Sequence, residues 1–442
     1  MDWSSLLKPY RLGCPKDSFD GEMGRTEFHR DFDRIIFSSN FRRLFGKTQV
    51  VPFPDSDLTH NRLTHSLETA SVGRSLGNYL KEQTSSSLKK CDYDIGSILA
   101  ASCLAHDIGN PPLGHSGEHA IQEFFIENEQ KYLSLLSEKE KCDFLKFNGN
   151  AMGFRMLTRS NPAKTSNYGG LGITYPVLAS FTKYPCASYE IDSQGGKISG
   201  YTKSGLFSDD VDIYSEIAHE LEIPKINEYS CWERYPLVFL AEAADDICNY
   251  IIDYEDGYKN GLISYDSLYS YFNTIAETSY GSLATSLNKI HSQREIAGYL
   301  RAKAIGSLVI QVSEVFIKHE RDFLQSKIKE PLITLINSFD ILKEIQQKSI
   351  KKLYNHRDVL LKEIAGFKVL SGLLEIYLDS AMKPLDSKSK KILQILPSDI
   401  EKNFAENQYN TLMDITTYVC GMTDKFAVDQ FRKLTGIEVP DF

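Results

Sequence analysis

The sequence predicts an all-α protein. Three observations carry that expectation. Apolar residues recur at helical spacing in long amphipathic segments, around Ile296 to Ile317, Leu332 to Ile345, Val359 to Tyr377 and Thr411 to Leu434. Runs of β-branched residues are short, and strands do not alternate with helices. Neither an internal repeat nor a Walker-type glycine loop is present. With 442 residues, 42% of them hydrophobic, the chain can bury a large core.

Three regions are expected: an N-terminal arm (1–30), a central core (31–260) and a C-terminal helical region (261–442). Residues 1–24, rich in Gly, Pro and Asp, read as irregular. From Thr26 to Phe45, Phe28, Phe32, Ile35 and Ile36 fall at helical spacing. Arg42 and Arg43 beside them are either a solvated edge or positive charge for an anion. The next stretch turns at two prolines, with Gln49 just before the turn. Thr59 to Glu82 reads as a helix carrying His65, with Arg62 one turn earlier on about the same face. Residues 84–90 read as a loop.

Asp94 to His106 is nearly all small and apolar after Ile95, so that helix is expected at the centre. It ends in His106-Asp107, a Gly-Asn-Pro-Pro break follows, and His115 opens another helix. A charged helix and linker precede a helix over 147–159. Residues 175–185 read as a helix ending at a proline, with Lys183 near its end. Residues 188–210, polar and glycine-rich, read as a surface loop containing Lys203. Arg234 to Glu255 is a strongly apolar helix that nevertheless carries Asp245, Asp246 and Asp253. Residues 383–391 read as a linker.

The net charge of -9 argues against a generally basic coat for nucleic acid, and leaves room for a local basic pocket. Eight cysteines are scattered without a Cys-x-x-Cys pair, which suggests free thiols in a reducing cytoplasm. The first residues lack a signal peptide's apolar core, and no apolar run reaches membrane-spanning length.

Chemistry concentrates around His106 and Asp107. A carboxylate at the mouth of so apolar a helix needs a cation or a set of donors. His65, His106, Asp107 and Asp245 offer two imidazoles and two carboxylates, a donor set suited to a divalent first-row metal with open positions. Periodicity alone does not bring them together. Asp245, Asn249 and Asp253 recur at i, i+4 and i+8, on one helical face. His115 and Glu118, three apart, are either a surface pair or a histidine whose tautomer a carboxylate sets for proton transfer. His119 reads as a surface residue.

The order H…HD…D resembles the HD superfamily of metal-dependent phosphohydrolases. RLTHSLE, LAHDIGNPPLGHSGE, NGNAMGFRML, KYP, AEAADDI and GMTDKFA resemble more closely the bacterial dGTP triphosphohydrolases, from about Asp31 to Phe426. The resemblance implies an HD-domain helical core completed by the C-terminal helices. It implies that His65, His106, Asp107 and Asp245 hold Mn²⁺, Mg²⁺ or another first-row metal. His115 and Glu118 would assist attack at the α-phosphorus of dGTP or another dNTP. Gln49 would contact the 3′-hydroxyl, and Arg62, Lys183 and Lys203 the triphosphate. Asp253 would shape the sugar pocket, and Glu363 would face the purine.

Two departures stand out. The family usually has Tyr four residues after the metal Asp, where this chain has Asn249 followed by Tyr250. Either Asn249 replaces that contact or a local shift of the helix brings Tyr250 in. Asn148 stands where the family often has Glu. The resemblance further implies a cytoplasmic homo-oligomer, often a hexamer, with single-stranded DNA as a possible effector. Alternatives are a nucleotide phosphohydrolase or phosphodiesterase of other specificity, and a non-catalytic nucleotide-sensing or DNA-binding scaffold.

Overall fold

The computed structural model describes residues 1–15, 24–49, 60–83, 87–90, 93–159, 170–191, 201–398 and 400–438. Among them the regular structure is helical, and extended segments meet only in isolated bridges. The principal helices are α1 (Glu27–Ile36), α2 (Arg62–Glu82), α3 (Ile95–Ala105), α4 (His115–Glu127), α5 (Gly149–Thr158), α6 (Tyr175–Phe181), α7 (Val238–Lys259), α8 (Tyr265–Tyr280), α9 (Gln293–Lys318), α10 (Phe339–Ser349), α11 (Arg357–Met382), α12 (Gln408–Cys420) and α13 (Asp424–Thr435).

Every residue of α3 is buried, because its small and apolar side chains let helices pack on all sides. Asp94 caps its N-terminus by accepting from the Ser97 amide. α2 lies so close along it that a Cβ at Gly77 would collide with the backbone of Gly96. α1 and α6 pack on α3 as well, and α7 packs across α2. α2 begins at a capping box in which Asn61 and Thr64 exchange bonds with each other's amides. α8 and α9 pair beyond α7, and α11 bridges α4 to α12 and α13. Helices on both sides of residue 260 share one hydrophobic core. Among the described residues no helix is long and apolar enough to cross a membrane.

Several sequence expectations need correction. The first residues are not irregular throughout. Trp3–Leu6 is a short helix, with Trp3, Leu6 and Leu7 buried and the Trp3 indole donating to Glu320 at 2.7 Å. Arg11 is then latched to buried Asp31 at 2.5 Å. The described part of 188–210 is not a surface loop either. Leu206 and Phe207 are fully buried, and Gly205 donates to the Cys186 carbonyl at 3.1 Å. Cys186 and Cys231 form a disulfide, against the expectation of free thiols. Cys103, Cys142, Cys248 and Cys420 are free thiols.

A helix, Ser387–Ile395, begins inside the expected linker. The segment around Leu332 opens as a 3-10 turn, and Thr411 to Leu434 is broken between α12 and α13. Ser87–Lys90 forms a 3-10 turn within the expected loop. The two-proline turn and the middle of the 188–210 segment lie outside the described residues.

Candidate active site

Two helix ends and the middle of a third helix converge on one point. His65 sits in the first turn of α2, His106 and Asp107 follow the last turn of α3, and Asp245 lies in α7. Ligand atoms of His65, His106 and Asp107 all lie within 4.8 Å of one another. The Asp245 carboxylate is 3.1 Å from His65 Nε2 and 3.5 Å from His106 Nε2. His106 Nδ1 lies 2.6 Å from the Cys103 carbonyl. The ring donates there, which leaves Nε2 as the free lone pair.

Asp107 meets the donors its burial demands. Its Oδ1 accepts from Arg62 at 2.6 Å and from Asn110 at 2.6 Å. Its Oδ2 is buried and has no hydrogen-bond partner. An ionised oxygen left so is costly unless a cation meets it. With two imidazole nitrogens and a second carboxylate around it, the donor set fits a divalent metal ion. Burial works to raise the Asp107 and Asp245 carboxyls. Arg62 with the two imidazoles outweighs it at Asp107, and the imidazoles with Lys183 do so at Asp245. Both are held below the usual carboxylate range.

The cluster opens into a cavity of about 600 Å³. Every residue expected to hold metal, catalyse or contact substrate lines it except His65 and Glu118, which contact the lining residues Asp245 and His115; Arg42, Arg43 and His119 do not line it. His115 opens α4 with its side chain 77% exposed, so it is accessible from the cavity. Its Nδ1 is 2.9 Å from buried Glu118, whose other oxygen accepts from the Gly149 amide at 2.5 Å. Burial works to raise Glu118, but His115, the Gly149 amide and Lys203 hold it below the usual range. Glu118 is therefore a carboxylate that fixes the imidazole tautomer. Asn148, the second departure, caps α5 by accepting from the Asn150 amide at 2.9 Å.

Lys183 pairs with Glu242 at 3.0 Å, and Glu242 also takes Arg234 at 2.7 Å. Burial works to lower Lys183; Glu242 outweighs it and raises it, so the ammonium stays charged. Lys203 is exposed on the same wall. Buried Asp143 accepts from the Ser208 amide at 2.9 Å and from Tyr409 at 2.8 Å, and also from the Ser188 hydroxyl. It thereby fastens both ends of the lysine-bearing segment.

α7 is a regular helix through this region, so no local shift brings Tyr250 in. Asn249 holds the i+4 place, donating to Asp245 at 2.8 Å, and Gln49 approaches it at 3.5 Å. Tyr250 lines the cavity from its own position. Buried Asp253 accepts from Tyr354 at 3.0 Å, and burial pushes its carboxyl up to about 7. Glu363 lies at the far rim with Lys362.

Sequence reasoning missed Glu242, Asn110 and Tyr354. Glu242 stands three residues before Asp245 and Asn110 three after Asp107, so helical spacing around the ligands would have found them. Tyr354 gave no such signal. It lies in a π-helical turn, Ile350–Tyr354, 101 residues after Asp253.

Residues 62–150 match the HD domain model, a stretch that runs from the start of α2 into α5. A deoxyguanosinetriphosphate triphosphohydrolase-like protein of Synechocystis sp. is 37% identical, the alignment covering 99% of this chain and 100% of the relative. One of Pseudomonas aeruginosa is 36% identical over the full length of both. The deoxyguanosinetriphosphate triphosphohydrolase of Yersinia pseudotuberculosis is 26% identical over 93% of this chain and 94% of its own. The His-His-Asp cluster able to hold a metal, the all-helical core and full-length similarity agree: the chain belongs to the deoxyguanosinetriphosphate triphosphohydrolase-like family of the HD-domain metal-dependent phosphohydrolase superfamily.

Proposed function

We propose that the protein is a metal-dependent deoxynucleoside triphosphate triphosphohydrolase that converts dGTP and water into deoxyguanosine and inorganic triphosphate. One observation supports it above the rest. The unpartnered Asp107 oxygen and its neighbouring ligands face a cavity that also presents Lys183, Lys203 and His115. The names of the relatives support the substrate class.

In this reading His65, His106, Asp107 and Asp245 hold Mn²⁺ or Mg²⁺. When bound, the ion would lower the pKa of water and polarise phosphorus. Arg62, Lys183 and Lys203 bind the triphosphate, Lys183 through an ammonium that Glu242 orients. Water adds to the α-phosphorus and the bond to O5′ breaks. The free Nε2 of His115 moves the proton required at the reacting oxygens, while Glu118 keeps its Nδ1 protonated. Gln49 holds the 3′-hydroxyl, Asp253, Asn249 and Tyr250 border the sugar, and Glu363 faces the purine. Action in the cytoplasm as a homo-oligomer, with single-stranded DNA as an effector, rests on the family resemblance alone.

The test is to incubate the protein with each dNTP and Mn²⁺ or Mg²⁺ in ¹⁸O-water and resolve the products. Deoxyguanosine and triphosphate are expected, with the label in the triphosphate. Pyrophosphate or monophosphate as the first product would point to a different phosphohydrolase. No turnover of any nucleotide would point to a binding scaffold.

A further inference from the structure

GMTDKFA carries no role in the proposed chemistry, yet its aspartate touches two segments of the cavity wall. Asp424 Oδ2 accepts from the Thr48 amide at 2.9 Å, and Oδ1 accepts from the Leu113 amide at 3.0 Å. Thr48 immediately precedes Gln49. Leu113 stands two residues before His115. One carboxylate near the chain's end thus joins the backbone that presents Gln49 to the backbone that presents His115.

Both joined segments need such a fastening. Leu113 has φ +67°, a left-handed conformation that a non-glycine residue adopts only when its surroundings compel it. Here the compulsion is visible. Asp424 holds the Leu113 amide, and the Leu113 side chain lies on Gly366 of α11 so closely that a Cβ there would overlap it. Gly114 follows, also at positive φ, and together the two residues turn the chain so that His115 opens α4.

On the other side, Thr48 bridges to Asn61, and the Lys47 carbonyl accepts from the Arg62 amide at 3.1 Å. Buried Lys47 donates to the Asn110 carbonyl at 2.5 Å and to the Cys420 carbonyl at 2.7 Å. The 420–424 corner therefore grips residues 47–48 and 110–113 together, through one ammonium and one carboxylate.

We propose that Asp424 is a positioning residue, a two-oxygen clamp that sets Gln49 and His115 relative to each other across the cavity. Its link to catalysis rests on the function proposed above; the clamp itself does not. A purely local role is the competing account. Asp424 opens α13, where an acidic residue favours a helix N-terminus. That role would be indifferent to what happens at residues 48 and 113.

The experiment compares the full-length protein with Asp424→Asn and Asp424→Glu. Asn keeps one acceptor oxygen and turns an NH₂ toward the other amide, so one arm of the clamp is lost. Glu keeps both oxygens. Amide hydrogen exchange reads the clamp without any substrate. Asp424→Asn should speed exchange at Thr48 or Leu113 and leave α2 and α3 protected.

Turnover reads the consequence. Asp424→Asn should lower kcat for dGTP by about 10²-fold, the order expected when a reacting group is displaced by about 1 Å, and Asp424→Glu should recover part of it. The penalty for omitting the 3′-hydroxyl, measured as dGTP against 2′,3′-dideoxy-GTP, should shrink in Asp424→Asn because Gln49 has moved. Unchanged exchange at both amides, or unchanged kcat with an intact 3′-hydroxyl penalty, overturns the proposal. Loss of the fold in both variants overturns it too, by making Asp424 a stability residue. A wild type inert toward all nucleotides would instead sink the functional reading, and the exchange comparison would still decide the clamp.

Discussion

The two ends of the cavity are built on different plans. At the proposed metal end each candidate ligand arises within or just after a turn of a helix, and most have a fixed partner. His106 leans on the Cys103 carbonyl, Asp107 on Arg62 and Asn110, Asp245 on His65 and Asn249. The proposed sugar and base end is assembled from distant stretches: Gln49, the α7 face, the π-helical turn at Tyr354 and Glu363. The first plan suits a task that tolerates no displacement. The second lets specificity change without disturbing the ligands.

The largest expected effect breaks the metal end alone. His106→Ala and Asp107→Ala should lose bound metal and turnover while keeping helical content. Asp253→Ala at the other end should keep metal stoichiometry. Metal analysis after dialysis checks both; full occupancy in the two ligand variants would refute the assignment.

Next in size is the residue between the ends. His115→Ala should lower kcat by roughly 10²- to 10⁴-fold with nucleotide affinity within a few-fold, since its work lies in the transition state. Weakened binding with near-normal kcat would make it part of the binding wall instead.

A smaller effect should come from pH. Asp253 is protonated below about 7 and a carboxylate above it. The charged form accepts a sugar hydroxyl more strongly, so the KM for dGTP should fall as pH rises through 7. The Tyr354 hydroxyl holds that pKa down, and Tyr354→Phe should move the inflection upward. An inflection unmoved by the substitution would exclude Asp253 as its source.

The smallest effect sharpens the sugar end. Asn249 donates to Asp245 and stands where a bulkier tyrosine is usual, so discrimination against GTP should be modest and should depend on Asn249 more than on Tyr250. Turnover of dGTP and GTP by Asn249→Ala and Tyr250→Ala measures this. Discrimination lost only in Tyr250→Ala would return the role to the ring.

What the sequence discloses follows the same division. α3 and its terminal His-Asp pair are legible because apolar composition, a cap and a proline break sit within twenty residues. The face shared by Asp245, Asn249 and Asp253 is legible from helical period. Tyr354 is not, because a π-helical turn and a long-range contact leave no local pattern. The burial of Leu206 and Phe207 escapes for a related reason: a polar, glycine-rich stretch is drawn inward by Asp143, which lies more than sixty residues earlier. The Cys186–Cys231 pairing follows from backbone proximity that no spacing announces.

The grip of residues 420–424 on residues 47–48 and 110–113 also bears on how the molecule comes into being. A ribosome delivers all four proposed metal ligands once Asp245 has emerged, but the corner carrying Asp424 comes almost two hundred residues later. At about 5–20 residues per second, the nascent chain spends roughly ten to forty seconds with its ligands exposed and its cavity wall unfastened. The interval ends only when the 420–424 corner has emerged as well.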